Sequence, residues 1–350
     1  MRTGFAALGS GVSARMHARA LAVCDDVAKL TGFCSKDDAS AGVFGRDFNV
    51  KRFDSFEAML GDPDTHAVII CTPSGLHAAQ AQTALAAGKH VLIEKPAVIT
   101  PEQAGSLLAA AGKSSAKAAV VSQFRLYPDI LKLRDMLGRG AFGKVTLVSL
   151  HMHYYRSQEY YDSAAWRGTK SMDGGALMNQ GIHGLDLLLY LFGKARRVWA
   201  VAKTAARRMD AEDTAAALIE FDSGVLCTVS ASSCSFPGRP RTLTICGTEG
   251  SAVLTETRLT LSDMTDPAPL PPEDYRSFDD PAAVPTTAHA LVLRDFCEYV
   301  TQNKAPASTL ADGCSAAALV WAILRSSETG EAEEPVYYSD KPETEAVSNG

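Results

Sequence analysis

The sequence predicts an α/β protein in which a doubly wound parallel sheet is followed by a second α/β domain with a large, mostly antiparallel sheet. Three observations lead to this prediction. The chain has 350 residues, more than one hydrophobic core usually serves. Its first third alternates short apolar runs with helical patterns. After about residue 123, several strand-like runs follow one another with few helices between them.

The first domain is predicted at residues 1–122. Near-continuous apolar runs, typical of parallel strands that are buried on both faces, predict strands at 5–8, 30–34, 67–71, 90–93 and 118–122. Helical patterns lie between them at 13–24, 56–60, 77–87 and 101–111. Thr100 is expected to cap the last of these helices, with Pro101 in its first turn.

The second domain is predicted at 123–338, followed by a polar tail at 339–350. We expect strands at 144–155, 198–204, 215–221, 225–233, 241–246 and 251–254, and helices at 176–192, 288–302 and 310–329. Asp222-Ser223-Gly224 indicates a hairpin between two of the strands. Six prolines at 264–285 indicate an irregular surface loop.

Composition narrows the class of protein. The net charge of -6 gives no attraction to nucleic acid or to an acidic membrane, so neither is an expected partner. The eight cysteines show no C-x-x-C spacing, which favours reduced core thiols over a disulfide framework or a metal site. We therefore predict no bound metal. The start of the chain has no signal-peptide pattern, and no apolar run is long enough to span a bilayer, so we expect a cytoplasmic protein.

A glycine-rich turn follows the first predicted strand and opens the first predicted helix. Gly9, Gly11 and Ala14 form the pattern G-x-G-x-x-A, which lets a backbone approach the pyrophosphate of a dinucleotide at a helix N-terminus. We predict that Gly9, Gly11 and Val12 bind NAD or NADP. The alternative is a plain strand-to-helix turn.

The residues after the second strand bear on the choice of cofactor. A carboxylate here would bind the ribose hydroxyl of NAD, but the sequence has Ser35-Lys36, a hydroxyl and a cation that suit the 2′-phosphate of NADP. NADP is therefore favoured over NAD. Asp37 and Asp38 follow at once, so NAD stays open, and Lys36 could equally be a solvated loop charge.

Two further strands end in polar residues where such sheets bind their cofactors. Thr72 and Pro73 are expected to line the nicotinamide, and His77 either contacts the cofactor or is an ordinary helix-start histidine. Glu94-Lys95-Pro96 ends the next strand, and an ammonium fixed there could stabilise developing alkoxide charge on a substrate. The alternative for Lys95 is a surface lysine.

The helix predicted at 176–192 carries a possible acid/base. Asn179, His183 and Asp186 have spacings of four and three, which would place them on one helical face. A histidine titrates near neutral pH and can exchange a proton with an alcohol, with Asp186 or Asn179 orienting its ring. The alternative is a structural histidine.

Together these motifs, from the glycine turn through Cys71-Thr72-Pro73 and Glu94-Lys95-Pro96 to the segment 174–183, resemble the Gfo/Idh/MocA oxidoreductases over nearly the whole chain. The resemblance implies an N-terminal Rossmann domain that binds NAD(P), with Glu94 and Lys95 near the nicotinamide. It implies His183 as the acid/base. It also implies that the second sheet is open and forms the interface of a homo-oligomer, a dimer or tetramer.

The resemblance also bears on the substrate. The segment 178–183, together with Tyr154-Tyr155-Arg156 and Trp166-Arg167-Gly168-Thr169, is similar to members that act on nucleotide sugars. Arg156 and Arg167 could hold a carboxylate or phosphate, or could instead be interface arginines. Arg125 and Trp166 are further candidates for substrate contact. Asn179 stands where inositol dehydrogenase-like members have an aspartate, and an amide cannot carry a proton, which points away from inositol.

The sequence thus predicts an NAD(P)-dependent oxidoreductase that transfers hydride between nicotinamide and a hydroxyl or keto carbon of a carbohydrate-like small molecule: a sugar, sugar acid, nucleotide sugar or cyclitol. Lys95 would polarise the oxygen while His183 moves the proton, with Asn179 nearby, and both are expected to converge on one alcohol. Two alternatives remain: a catalytically inactive sugar- or dinucleotide-binding regulator of the same fold, or a reductase of a non-sugar carbonyl of the dihydrodiol or biliverdin type.

Overall fold

A computed structural model describes residues 2–262 and 286–339. Within this range the chain forms two compact units. The first contains residues 2–121, 289–315 and 337–339, and the second contains 122–262, 286–288 and 316–336. The units divide between residues 121 and 122, and residues 289–315 belong to the first unit. The predicted loop at 264–285 and nearly all of the predicted tail lie outside the described residues.

The first unit contains the parallel sheet that the apolar runs predict. Its five strands have the order β2-β1-β3-β4-β5 and all pair in parallel. The strands β3 and β4 contribute runs of buried aliphatic side chains because helices cover both faces. The strands are β1 (Thr3–Leu8), β2 (Ala28–Cys34), β3 (Ala67–Ile70), β4 (His90–Ile93) and β5 (Ala118–Val120).

Five helices accompany this sheet before residue 121: α1 (Val12–Val23), α2 (Asp38–Phe48), α3 (Phe56–Gly61), α4 (His77–Ala86) and α5 (Pro101–Lys113). The Thr100 hydroxyl caps α5 at the Gln103 amide, as the sequence predicts. Helix α2 was not predicted. It buries only Ala41 and Phe44, so its apolar periodicity is weak, and its clearest signal is the Asp37 cap.

The second unit contains a seven-stranded sheet of order β12-β11-β10-β6-β9-β8-β7. Every pair is antiparallel except β6 with β9. The predicted hairpin joins β8 to β9, where the Gly224 amide donates to the Phe221 carbonyl. The strands are β6 (Val145–His153), β7 (Ala195–Lys203), β8 (Thr214–Phe221), β9 (Leu226–Ser232), β10 (Thr242–Gly247), β11 (Ser251–Thr255) and β12 (Arg258–Ser262), of which β12 was not predicted.

The remaining helices include one correction. The single helix expected at 176–192 is a π-helical turn (Ala176–Gly181) followed by α8 (Ile182–Phe192). The others are α6 (Pro128–Gly138), which was not predicted, α7 (Gln158–Asp162), α9 (Thr286–Gln302) and α10 (Leu310–Thr329). No helix in the described ranges is both long and apolar enough to cross a membrane.

The two faces of the seven-stranded sheet differ. Alternate residues of β6, β8 and β9 are buried on one face, while the other face carries exposed apolar side chains. Leu147 pairs with Leu226, and Trp199 with Leu218, and these four are 38–44% exposed. We call this surface the outer face.

Candidate active site

The glycine turn closes against both neighbouring strands. Gly9 has a φ of +114°, its amide donates to the Cys34 carbonyl at 2.8 Å, and a Cβ there would lie 2.7 Å from the Cys71 carbonyl oxygen. A side chain at this position would be strained by the backbone conformation and by the close approach. The turn therefore lies between the carboxyl ends of β2 and β3, which is the cofactor-binding edge of such sheets.

The N-terminus of α1 suits a phosphate group. Gly11 occupies the N-cap position with extended backbone and no side-chain cap, and no described heavy atom lies within 4 Å of the point where its Cβ would be. Val12 is exposed, while Ala14 is fully buried against the sheet. Uncapped amides facing open space at a helix N-terminus are what a dinucleotide pyrophosphate requires, so the residues present fit the predicted cofactor.

Both carboxylates of the loop after β2 have partners within the protein. Asp37 caps α2 by accepting the Ala39 amide, and Asp38 pairs with Arg52 at 2.6 Å. The Asp37 pKa is lowered, chiefly by the hydrogen bond from Ser40. Ser35 contacts the Ser10 hydroxyl at 2.8 Å, and its carbonyl accepts from Arg52 at 2.7 Å. Arg52, which the sequence analysis did not single out, thus joins exposed Lys36 as a second cation at this loop.

His77 is buried and faces two carbonyls. Its Nδ1 lies 2.8 Å from the Pro96 carbonyl oxygen, and its Nε2 lies 2.8 Å from that of Thr72. Burial lowers the pKa of His77, although both carbonyl contacts oppose the shift. The ring therefore ties the loop after β3 to the loop after β4. Direct cofactor contact by His77 stays a prediction, while Thr72 Oγ1 donates to Gln80 and Pro73 is partly exposed.

Lys95 follows a buried carboxylate that the sequence analysis assigned to the cofactor. Glu94 Oε1 accepts from His17 Nε2 at 2.7 Å, and Glu94 Oε2 accepts from the Lys95 backbone amide at 3.2 Å. His289 Nε2 lies 3.9 Å from the same Oε1. Burial alone would raise the Glu94 pKa, but the hydrogen bond from His17 opposes that effect, and the pKa of this carboxyl is lowered. We call His17, Glu94 and His289 the His–Glu–His cluster.

In the second unit, the turn that precedes His183 is held by Glu212. The Glu212 carbonyl accepts the Ala176 amide at 2.8 Å, and Oε1 accepts the Leu177 amide at 2.9 Å. A Cβ on Gly175 would lie 2.1 Å from the Glu212 carbonyl oxygen, so only glycine fits. Burial raises the pKa of Glu212. The Gly174-Gly175 pair that the sequence analysis noted thus permits a carboxylate to cap the π-helical turn.

The His183 ring rests edge-on against Phe124, with ring centroids 5.2 Å apart. The guanidinium of Arg241 lies 3.9 Å from the Phe124 centroid on a fully buried side chain. Arg241 also donates to the Glu256 carbonyl at 2.9 Å. A buried cation against an aromatic face is a strong contact, so this arrangement fixes the surface on which the histidine ring packs.

The residues expected to orient His183 have other partners. Arg125 donates to both carboxylate oxygens of Asp186, at 2.6 and 3.0 Å, and both side chains are buried. Asn179 Nδ2 donates to Asp173 Oδ1 at 2.5 Å. The α-helical spacing argument does not hold for Asn179 because it lies in the π-helical turn. Substrate contact by Arg125 stays a prediction, but the guanidinium has a clear structural partner.

The two arginines predicted for the substrate share one aromatic ring. The guanidinium carbon of Arg167 lies 4.2 Å from the Tyr160 centroid, and that of Arg156 lies 5.7 Å from it. Arg167 also lies 4.6 Å from the Trp166 ring. Burial raises the pKa of the Tyr160 hydroxyl, and its hydrogen bond to Asn179 opposes that shift. Tyr160, which the sequence analysis missed, therefore links Arg156 and Arg167 to the turn before His183.

The structure therefore brings the predicted residues together in two groups. In the first unit, the glycine turn, Ser35, Thr72, Pro73 and Lys95 follow the carboxyl ends of the parallel strands. In the second, Arg156, Arg167 and Asn179 contact Tyr160, and Trp166 contacts Arg167. Six residues of these sites were not predicted from the sequence: His17, Arg52, Tyr160, Glu212, Arg241 and His289. His17 had a weak signal on the buried side of α1, whereas the other five had none.

A glycine-turn parallel sheet followed by a second sheet domain defines a two-domain nicotinamide-dinucleotide oxidoreductase. The family model described as an oxidoreductase family with an NAD-binding Rossmann fold matches residues 3–122, and the GFO/IDH/MocA C-terminal domain model matches residues 130–253. The chain belongs to the Gfo/Idh/MocA oxidoreductase family.

Several relatives are similar to this chain. UDP-N-acetylglucosamine 3-dehydrogenase of Acidithiobacillus ferrooxidans is 31% identical over 66% of the chain and 67% of that protein. The NADP⁺-dependent scyllo-inositol 2-dehydrogenase IolW of Bacillus subtilis is 31% identical over 49% of the chain and 46% of that protein. Matches to three of the curated relatives span only 46–58% of their length.

A solved structure covers the chain more fully. The WlbA dehydrogenase from Bordetella pertussis, in complex with NADH and UDP-GlcNAcA, superposes with a TM-score of 0.86 and is 28% identical. The similarity covers 97% of this chain and 100% of that one. The fold, with both of its sheets, is therefore the fold of this family.

The Arg125–Asp186 pair gives a test that separates structure from substrate binding. Arg125→Ala should lower the free energy of unfolding by about 3–5 kcal/mol, because it leaves the Asp186 carboxylate buried without its partner. Arg125→Met combined with Asp186→Leu should cost less. Arg125 and Arg134 both lie over the Tyr190 ring, so Arg134 is the control. Because Arg134 is exposed, Arg134→Ala should lower the free energy of unfolding by less than about 1 kcal/mol. Urea unfolding measures the stability of all three variants. An unchanged urea midpoint for Arg125→Ala would contradict the structural role of Arg125 and favour substrate contact instead.

Proposed function

We propose that the chain is an NADP-dependent dehydrogenase that oxidises a hydroxyl group, or reduces the corresponding ketone, on an acidic sugar or nucleotide sugar. One observation carries the choice of substrate. Tyr160 connects Arg156 and Arg167 to Asn179, four residues before the proposed acid/base His183. Two guanidinium groups at such a position favour a substrate that carries a carboxylate or phosphate.

The chain's own residues divide the chemistry. Nicotinamide, when bound, accepts the hydride from the substrate carbon or returns it. We assign the hydroxyl proton to His183, whose ring packs on Phe124 and can serve as base or acid near neutral pH. We assign to the Lys95 ammonium the stabilisation of the negative charge that develops on the oxygen. The backbone amide of Lys95 is held by Glu94.

Relatives support this substrate class without deciding it. One relative acts on UDP-N-acetylglucosamine, and the WlbA structure holds UDP-GlcNAcA, a substrate with both a diphosphate and a carboxylate. Trans-1,2-dihydrobenzene-1,2-diol dehydrogenases also match the chain, at 25–26% identity. A dihydrodiol has no anionic group, so it would leave Arg156 and Arg167 without a substrate charge to bind.

The catalytic roles can be tested with four substrates: UDP-GlcNAcA, UDP-N-acetylglucosamine, scyllo-inositol and a trans-dihydrodiol. We expect UDP-GlcNAcA to give the highest kcat/KM, measured from the absorbance of the reduced nicotinamide that forms. His183→Ala and Lys95→Ala should each lower kcat by about 10²- to 10⁴-fold, the usual contribution of acid/base and charge-stabilising groups.

Exposed residues of the same types provide the controls. His151→Ala and Lys113→Ala should keep kcat within about twofold, since neither group is assigned to the reaction. NADPH binding should survive in all four variants. Near-normal turnover in both His183→Ala and Lys95→Ala would refute the roles. Tight NADPH binding without turnover of any substrate would instead favour an inactive regulator.

The preference for NADP rests on the loop after β2. With Asp37 capping α2 and Asp38 paired to Arg52, both carboxylates are engaged within the protein, while Lys36 supplies positive charge and the Arg52 guanidinium lies at the same loop. Fluorescence titration should show NADPH binding about tenfold more tightly than NADH, or about 1.4 kcal/mol. Lys36→Gln and Arg52→Gln should remove most of that difference, whereas Lys29→Gln, at the far end of β2, should not. A preference for NADH in the unmodified chain would contradict the assignment.

We also propose that the outer face joins two copies of the chain. Exposed apolar side chains on adjacent strands favour burial against a second copy. Sedimentation velocity should show a dimer or tetramer at micromolar concentration, and Leu218→Glu should release monomers. Val43→Glu, at a similarly exposed position on α2, is the control and should leave the assembly intact. A monomeric unmodified chain would contradict the proposal.

A further inference from the structure

The buried His–Glu–His cluster lies beside Lys95 but is absent from the mechanism above. We propose that His17, acting through Glu94, is a positioning residue that fixes the backbone of Lys95. The inference rests on the proposed role of Lys95 in hydride transfer. It assigns a function to a histidine that is 77 residues away in the sequence and is entirely buried.

Glu94 joins three elements of the first unit through its carboxylate and its backbone amide. Glu94 Oε1 accepts from His17 Nε2 of α1, while Oε2 accepts from the Lys95 amide directly after β4. The Glu94 amide in turn donates to the Ile70 carbonyl at the end of β3. Without the bond to His17, Oε1 would be buried without a strong donor, and the side chain would lose the contact that keeps Oε2 on Lys95.

A second anchor holds the other side of Lys95. His77 Nδ1 lies 2.8 Å from the carbonyl oxygen of Pro96, the next residue. Glu94 therefore restrains the Lys95 backbone at its amide, and His77 restrains the next residue at the Pro96 carbonyl. With both ends held, the start of the lysine side chain has one defined direction, which a charge-stabilising group needs.

The unpaired ring atoms of the cluster indicate how its protons are placed. The Nδ1 atoms of His17 and His289 are buried and have no hydrogen-bond partner in the described part of the chain. A buried lone pair costs less than a buried N–H without an acceptor, so the His17 proton belongs on Nε2, where Glu94 accepts it. His289 packs edge-on against His17 with centroids 4.8 Å apart, and burial lowers its pKa to about 4, so it stays neutral.

The same three side chains offer ligand atoms within 4.8 Å of one another, which also suits a divalent metal. Metal-bound histidines usually donate their second ring N–H to an acceptor. Neither histidine has such an acceptor among the described residues. The direct contact of 2.7 Å between His17 and Glu94 is moreover a hydrogen bond, so we favour positioning over metal binding.

Two amide substitutions separate positioning from simple loss of a buried side chain. In His17→Gln the amide nitrogen lies as many bonds from Cα as Nε2, so it can donate to Glu94. In His17→Asn the amide nitrogen takes the place of Nδ1 and cannot reach the carboxylate. His90→Gln is the matched control, because His90 lies at the opposite end of β4 and its Nδ1 accepts the Lys117 amide.

Steady-state kinetics with NADP⁺ and the substrate that gives the highest kcat/KM provide the first readout. We expect His17→Asn to lower kcat on the order of 10- to 100-fold, because a displaced charge-stabilising group loses its alignment. The Kd for NADPH should change less than about threefold, and His17→Gln should recover most of the loss. His90→Gln should change neither value. Equal kcat losses for His17→Asn and His17→Gln would overturn the proposal.

A second readout does not depend on catalysis. Hydrogen exchange of the peptide covering residues 93–99 should be about tenfold faster in His17→Asn than in the unmodified chain, and should be restored in His17→Gln. Unchanged exchange in His17→Asn would overturn the positioning role. If Lys95→Met keeps full turnover, the proposed function fails, yet this exchange measurement still decides whether His17 holds the segment.

Metal analysis of the purified protein closes the alternative. Mass spectrometry of the metal content should find less than about one-tenth of an equivalent of zinc or another transition metal. A stoichiometric metal that is lost in His289→Leu would overturn positioning in favour of a metal site built from the same three side chains.

Discussion

Hydrogen-bonding of buried carboxylates is the constraint on which the proposed residues of each unit depend. Glu94 in the first unit and Asp186 in the second lie near the residues proposed for chemistry, and each is withdrawn from water. An unpaired buried charge costs several kcal/mol, a large part of the roughly 5–15 kcal/mol that keeps a domain folded. The Glu94 carboxylate therefore needs the hydrogen bond from His17, and the Asp186 carboxylate needs the guanidinium of Arg125; the positions of these partners fix the segments to which the carboxylates belong.

The same constraint explains why the buried carboxylates also hold backbone amides in place. The Glu94 carboxylate accepts the Lys95 amide, and the Glu212 carboxylate accepts the Leu177 amide at the start of the π-helical turn before His183. The backbone carbonyl of Glu212 accepts the Ala176 amide of the same turn. In both places a buried carboxylate takes up backbone donors that a strand end or a helix start leaves without partners. Each unit therefore presents its proposed reactive residue on a rigid support, which matches the demand that catalysis makes on alignment.

What the sequence could predict follows from how local each signal is. Runs such as 67–71 and the glycine turn at Gly9 are short patterns with one structural solution, and the parallel sheet was predicted from them. The π-helical turn was missed because 176–192 keeps an apolar pattern that reads as one α-helix. The partners His17 for Glu94 and Arg125 for Asp186 are 77 and 61 residues distant, and only the folded chain brings them together. No pattern within one segment encodes such a pair.

Asn179 shows how a departure from a family pattern can follow from its surroundings. Its amide donates to Asp173 Oδ1, and Asp173 Oδ2 accepts the Gly168 amide at 2.8 Å. An aspartate at 179 would place two carboxylates in direct contact in a buried setting, where like charges cannot both stay ionised. Asn179 instead meets Asp173 with a neutral donor, and an amide at position 179 carries no proton in a relay. The proposed proton transfer therefore rests on His183, in the first turn of α8, and the proposed substrate contacts rest on Arg156 and Arg167 beside Tyr160.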